Sequence, residues 1–243
     1  MTVPRLFLTR ARLREEVPAA ALRKLLLPDD VGRRAGAGHR LVWTLFADSP
    51  QRERDFLWRE ADAGVFYLLS QREPDDQHGL FEVDSPKPFA PALEVGDRLA
   101  FSLRANATVA KGVGAGKRGK RSDVVMAAIL DVRPGARAEA RAKAVRTAGR
   151  KWLDAQGERS GFAVLNGSGD GPGGAEAAVA MLRTSYRSMR VDHAGPTARL
   201  GVIDFDGLLE VRDPVDFVAA IARGFGRAKA FGCGLMLIRR AWA

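Results

Sequence analysis

The chain has 243 residues, 46% hydrophobic and 28% charged, with a formal net charge of +10 and an isoelectric point near 10.4. That length accommodates one large domain or two small ones with a real core, and no 18-residue apolar run is present to make a membrane-spanning helix. The single cysteine, Cys233, excludes an internal disulfide framework and a multi-cysteine metal site. The charge points to nucleic acid or another polyanion. The N-terminus lacks the basic-then-apolar plan of a secretion signal, so a reducing cytoplasm is the expected compartment.

Val3 to Thr9 reads as a first strand, and residues 18–30 as a short amphipathic helix through Leu22, Leu25 and Leu26, stopped by Pro28. Leu41, Val42, Leu45 and Phe46 recur at helical spacing after Gly36-Ala-Gly38, which predicts a helix over 38–47. Phe56–Trp58 and Val65–Ser70 are strands separated by a turn ending at Gly64, and the Pro-rich stretch 84–91 is an irregular loop. Leu99, Phe101 and Leu103 alternate inward in a half-buried strand. After a basic Gly-rich stretch come a strand at Val124–Val132 and an Ala-rich helix at 136–156. Next is a hairpin, Arg199–Arg212, that turns at Asp206-Gly207. Asp213-Pro214 caps a helix whose Val215, Val218, Ile221, Ala222 and Phe225 share one face, and Leu235–Ile238 is a final buried strand. This order is the ferredoxin-like plan, clear in the second half and blurred in the first. The expected fold class is α+β, two tandem ferredoxin-like domains at 1–108 and 123–243 joined by a basic linker, 109–122.

Three segments carry candidate chemistry. Between Lys111 and Arg121, the cations Lys111, Lys117, Arg118, Lys120 and Arg121 alternate with glycines and no acid intervenes. Such a stretch wraps a phosphate backbone or serves as a solvated linker, and both readings hold together. Near the C-terminus, Gly224, Gly226, Gly232 and Gly234 bracket Arg227 and Lys229, which makes either a polyanion loop or a helix C-cap before an ordinary strand. His39, at the start of the predicted 38–47 helix, is a general-base candidate, because a helix N-terminus disfavours the imidazolium; otherwise it is a surface or capping residue.

Rival motifs are incomplete. Gly114 to Arg121 resembles a P-loop without the Ser or Thr that holds magnesium, and Pro172 spoils the dinucleotide-like glycines of 169–174. His39, His78 and His193 are dispersed, so no metal or cofactor is expected.

Taken together, the segments Gly-His39-Arg-Leu-Val-Trp-Thr-Leu-Phe46, Phe101-Ser-Leu-Arg-Ala-Asn106, Gly119-Lys-Arg-Ser-Asp-Val-Val125, Phe205-Asp-Gly-Leu-Leu-Glu-Val211 and Gly226-Arg-Ala-Lys-Ala-Phe-Gly-Cys-Gly-Leu235 resemble the CasE family. Its members are the repeat-processing endoribonucleases of CRISPR systems, working within the Cascade complex. The resemblance runs in order over most of the chain, weakest around 15–35 and 166–174. It implies two tandem ferredoxin-like domains that bind the stem-loop of CRISPR repeat RNA and cut at the 3′ foot of the stem without metal. It also implies other Cascade subunits as partners, with the free protein a monomer. The family's catalytic histidine maps onto His39. Relatives often carry a tyrosine one turn earlier, where this chain has Gly36; Tyr186 is an unmatched candidate for that second side chain, and His193 and Tyr186 are the next places to look should His39 not be catalytic. RNA supplies its own 2′-hydroxyl nucleophile, so a base, a proton donor and charge stabilisation suffice. Arg40, Arg104, Arg227 and Lys229 are the expected holders of phosphate or stem, by shape and backbone rather than base edges. The rival expectation is a non-catalytic RNA-binding subunit, which leaves His39 without a role.

Overall fold

A computed structural model describes residues 5–15, 26–49, 51, 53–110, 121–165, 182–193 and 195–241. Alternation builds the first strand, β1 (Phe7–Leu13): Phe7, Thr9, Ala11 and Leu13 are buried while Arg10 and Arg12 face out. The proposed helix at 18–30 lies mostly outside the described residues. Helix α1 (Val31–Thr44) begins well before the expected 38, where the Asp30 carboxylate accepts the Arg33 N–H at 2.8 Å as its N-cap. Gly36-Ala-Gly38 does not break this helix. Glycines within it serve close approach instead: a Cβ on Gly38 would fall 2.7 Å from the Trp58 ring.

Strands β2 (Phe56–Asp62) and β3 (Val65–Ser70) form the expected hairpin, turning at Gly64 with φ 77°. Strands β4 (Phe81–Val83) and β5 (Lys87–Pro88) both pair with β1, giving an antiparallel sheet of order β2-β3-β1-β4. This is the ferredoxin-like order, but residues 71–80 link β3 to β4 without the second helix of the plan.

Strand β6 (Arg98–Ala105) corrects the expected division. It lies in the middle of the second sheet, paired with β11 (Gly195–Val211) and β12 (Met236–Arg240), and the order there is β10-β11-β6-β12, with β10 at Arg183–His193 and β9 (Phe162–Val164) alongside β11. The strand pairing therefore does not follow a boundary at 108. The alternation was legible, but a half-buried strand fits either sheet, and its partners lie roughly 100 to 140 residues away in sequence. The flanks of the basic stretch pair with each other as a ribbon, β7 (Thr108–Ala110) with β8 (Arg121–Asp123). Lys111, Lys117, Arg118 and Lys120 fall outside the described residues.

Two further expectations change. Val124–Val132 is no strand: the Asp123 carboxylate accepts the Val125 and Met126 N–H groups, both at 2.9 Å, and starts the short helix α2 (Val124–Ala128). A cap thus outweighs the strand preference of paired valines. Nor does Asp206-Gly207 turn: both residues sit in register inside β11, opposite Ser102 and Phe101. Ile203, Phe205, Leu209 and Val211 are buried on one face in unbroken period two, and the real hairpin lies between His193 and Gly195.

The long helix α3 (Arg137–Arg159) confirms the Ala-rich prediction. In α4 (Pro214–Arg223) Asp213 caps as expected, yet the buried face is Phe217, Ala220 and Ile221, and Val215 is 69% exposed. Leu57 and Leu69 of the first sheet share one apolar cluster with Leu99, Phe101, Phe205 and Leu235 of the second. Polar ties cross the same seam: Arg59 Nη1 donates to Ser102 Oγ at 2.8 Å, and Arg104 Nη1 to the Glu60 carbonyl at 3.0 Å. The molecule is thus α+β with two antiparallel ferredoxin-like sheets that share one apolar cluster, while α1 and the first sheet enclose a second cluster around Leu41, Phe46, Trp58 and Phe66. None of its helices is long and apolar enough to cross a membrane among the described residues.

Candidate active site

His39 lies two turns into α1, so the helix N-terminus expected to keep it neutral is not beside it. Burial does that work. Half-burial of the ring comes first, the Arg54 and Arg40 guanidiniums second, and together they hold the imidazole below the ordinary 6.5. Its Nε2 accepts a hydrogen bond from Trp43 Nε1 at 3.2 Å, one helical turn on, and Nδ1 is buried without a partner among the described residues. Trp43 meets Phe56 edge-on at 5.1 Å, and Phe56 stacks on Phe46 at 4.4 Å. The histidine is therefore a fixed, neutral proton acceptor at pH 7.

The glycine loop follows α4. Gly224, Gly226, Gly232 and Gly234 all have positive φ, between 71° and 97°, which explains the glycines there. The expectation that their amides cradle a ligand does not hold for several positions. Gly224 N–H bonds the carbonyls of Ala220 and Ile221, Phe225 that of Gly234, Arg227 that of Asn106, and Gly234 that of Arg104. The loop is a clamped scaffold that presents side chains. Its 3₁₀ turn, Lys229–Phe231, packs against α1. There Lys229 Nζ donates to the Arg223 carbonyl at 2.5 Å, and burial, then Arg54 and Arg223, lower the ammonium's pKa.

One buried indole registers helix and loop together. Trp58 is 1% exposed; a Cβ on Gly38 would lie 2.7 Å from its ring and one on Gly232 3.1 Å. Gly232→Val therefore meets both a wrong φ and an immovable ring, and should cost ~2–4 kcal/mol. Gly79→Val, at φ 64° with nothing within 4 Å, isolates the backbone part and should cost ~1–2 kcal/mol in the same urea titration. Equal losses for the two variants would mean that the indole contact contributes nothing.

The remaining expected residues divide. Arg40 is exposed on α1, with its Nη1 3.9 Å from where a Cβ on Gly36 would sit. Arg121 and Arg227 come together in a groove of about 790 Å³ with Asn106, Thr108 and Gly201, joined by Arg199, which the sequence reading missed. Arg104 is corrected to a strut. Its Nε pairs with Asp204 at 2.7 Å, both side chains mostly buried, so it is not a free RNA contact. Arg104→Ala leaves Arg187, at 3.1 Å, as the one ion pair of Asp204 among the described residues, and should destabilise the fold by ~2–3 kcal/mol, read as a lowered urea midpoint with little change in slope. Tyr186 does not join His39: its hydroxyl is engaged with Asp123, and burial first, then that carboxylate, push it up to about 12. The side chain of His193 lies outside what is described. Arg54 and Trp58 are the site residues sequence reasoning missed. The Glu53-Arg54-Asp55 run reads as ordinary surface charge, and Trp58 as ordinary core.

The chain is 33% identical over 201 residues to the CRISPR-associated endoribonuclease Cse3 of Thermus thermophilus, covering 77% of this chain and 80% of that protein. Its structure matches that of CRISPR endoribonuclease Cse3 bound to a 19-nucleotide RNA with a TM-score of 0.64 and 28% identity, over 96% of this chain and 99% of that one. A Thermus thermophilus Cse3 bound to an RNA representing a pre-cleavage complex matches with a TM-score of 0.63 and 28% identity, over 97% and 99%. Residues 6–240, nearly the whole chain, match the family described as CRISPR associated protein, and the chain belongs to that family.

Proposed function

We propose that this protein is an endoribonuclease that binds the stem-loop of CRISPR repeat RNA, cuts at the 3′ foot of the stem and stays with its product as a subunit of Cascade in the cytoplasm. The observation that carries the reading is His39, half-buried, bonded by Trp43 and held neutral by burial and by Arg54 and Arg40. Membership of the family and the kinship with Cse3 support it. His39 Nε2 takes the proton of the 2′-hydroxyl, exchanging the Trp43 N–H for the substrate, and the 2′-oxygen attacks the adjacent phosphate. The 2′-O–P bond forms as the P–O5′ bond breaks, and the leaving 5′-oxygen takes up one proton. The products carry a 2′,3′-cyclic phosphate and a 5′-hydroxyl. No step calls on a metal, since the nucleophile is the RNA's own. Incubation with a repeat hairpin in excess EDTA, followed by end-group analysis, tests this. A 5′-phosphate on the product, or cutting that stops with EDTA, overturns it.

Binding rests on cations. Lys111, Lys117, Arg118, Lys120, Arg121, Arg227 and Lys229 are proposed to contact RNA phosphates, with Arg199 added by the groove. Each phosphate contact removed flattens the slope of log affinity against log salt by ~0.7–0.9. Alanine at Lys117, Arg118, Lys120 and Arg121 together should therefore lower that slope by ~3, measured by hairpin titration across a salt series. An unchanged slope takes this stretch out of the interface.

A further inference from the structure

Most half-buried guanidiniums in this protein face carboxylates. Arg34 holds Glu60 at 3.0 Å, Arg72 holds Asp55 at 2.6 Å and Asp48 at 2.8 Å, and Arg104 and Arg187 share Asp204. Arg59, buried at the seam, donates to Ser102 with Asp204 and Asp206 nearby. Arg54 differs: half-buried, it makes no ion pair or hydrogen bond among the described residues, and burial disfavours its charge. Desolvating a cation without a counter-charge is unfavourable, so an unmatched one in a folded site calls for an anion that arrives from outside.

Its setting says which anion. The residues on its C-terminal side are locked: Asp55 is gripped by Arg72, and Phe56 is stacked on Phe46 and edged by Trp43, whose N–H bonds His39. The Arg54 charge is felt by both His39 and Lys229, which come from α1 and the glycine loop, two segments packed on each other. The charges that lower the His39 pKa are Arg54 and Arg40, the latter on its own helix; those that lower that of Lys229 are Arg54 and Arg223. The neutral base thus lies where burial and two guanidiniums act together, a setting complementary to a phosphate carrying extra negative charge.

We propose that Arg54 is a second catalytic residue, its guanidinium holding a non-bridging oxygen of the scissile phosphate while His39 acts on the 2′-hydroxyl. This rests on the endoribonuclease reading and adds a residue to it. Arg54 exchanges no proton. It binds charge that grows on the phosphate oxygens as the 2′-O–P bond forms, so it favours the transition state over the bound substrate.

The test is single-turnover cleavage of a repeat hairpin by the full-length wild-type, Arg54→Ala and Arg54→Gln proteins, with hairpin affinity and thermal melting measured in parallel. The expected result is a rate lowered by ~10²-fold in both variants, with affinity within about threefold of wild type, and partial recovery of the Arg54→Ala rate on adding guanidinium ion. Proton NMR of the free proteins supplies a readout that a merely structural residue would not move. With Arg54 gone and the melting temperature unchanged, the His39 pKa should rise towards 6.5, since one of the two cations that depress it is removed. Full-rate cleavage by Arg54→Ala overturns the inference and leaves the nuclease reading intact. A loss of rate without guanidinium rescue, with the His39 pKa unmoved, overturns it too. If the wild-type protein leaves the hairpin uncut, the nuclease reading itself fails and this inference with it.

Discussion

His39→Ala should lower the single-turnover cleavage rate by ~10²–10⁴, the usual worth of general acid–base catalysis, while hairpin affinity stays within a few-fold of wild type. Affinity survives because His39 is neutral and contributes no phosphate charge. A 2′-deoxy nucleotide just 5′ of the scissile phosphate should stop cutting altogether, since it removes the nucleophile rather than its activator. The acid side of the pH–rate profile carries a second signature. Burial, Arg54 and Arg40 lower the His39 pKa, so the base form persists below 6.5 and the rate should begin to fall only at a more acidic pH than a free imidazole dictates. An acid limb at or above 6.5 would assign the titration to another group. Full activity in His39→Ala would move the site elsewhere.

The second large effect is a stability change whose sign opposes helix propensity. On propensity alone, Gly→Ala inside α1 stabilises by ~1 kcal/mol. At Gly32 the new Cβ would lie 1.4 Å from the Arg190 carbonyl oxygen, a backbone atom of β10 that cannot rotate away. Helix and strand must separate, and the expected loss is ~3 kcal/mol or more, a fall in melting temperature of roughly 6–12 °C for a chain this size. The same shift moves His39 with its helix relative to the Lys229–Phe231 turn packed on it, and a displacement of ~1 Å suffices for a ~10²-fold loss of rate. Gly36→Ala is the matched control: its Cβ would meet nothing nearer than Arg40 Nη1 at 3.9 Å, so it should gain ~0.5–1 kcal/mol. Two alanine substitutions one turn apart with opposite signs separate close approach from propensity. If Gly32→Ala also stabilised the protein, helix α1 would not sit against β10 as described.

What sequence conveyed about this molecule was local. The period of two in Leu99–Phe101–Leu103, the Asp213-Pro214 cap and the positive-φ glycines before β12 all follow from neighbours within a few residues, and all are found, whereas the first strand, expected at Val3–Thr9, lies at Phe7–Leu13. The histidine and the loop were legible as separate candidates. That the histidine's helix meets the loop was not, because that contact runs through Trp58 and across some 190 residues of chain. The same limit hid the partners of β6 and the unmatched charge of Arg54, since a missing counter-ion is a property of the fold and not of Glu53-Arg54-Asp55. The Asp206-Gly207 pair misled for a related reason. Its turn preference is a local one, and it yields where β10 and β6 bind the strand on both sides.

The ribbon that closes at Ala110 opposite Arg121 has a consequence for how this protein can vary. The ten residues between those ends carry four cations, and the ends themselves pair side by side, so the pairing at Ala110 and Arg121 does not depend on how many residues or charges are spliced between them. On the binding proposed above, affinity for a polyanion is set by a segment separate from the strands and helix that align His39. Lineages, or engineers, can lengthen, shorten or recharge that segment to suit a different stem or ionic strength without recutting the catalytic geometry.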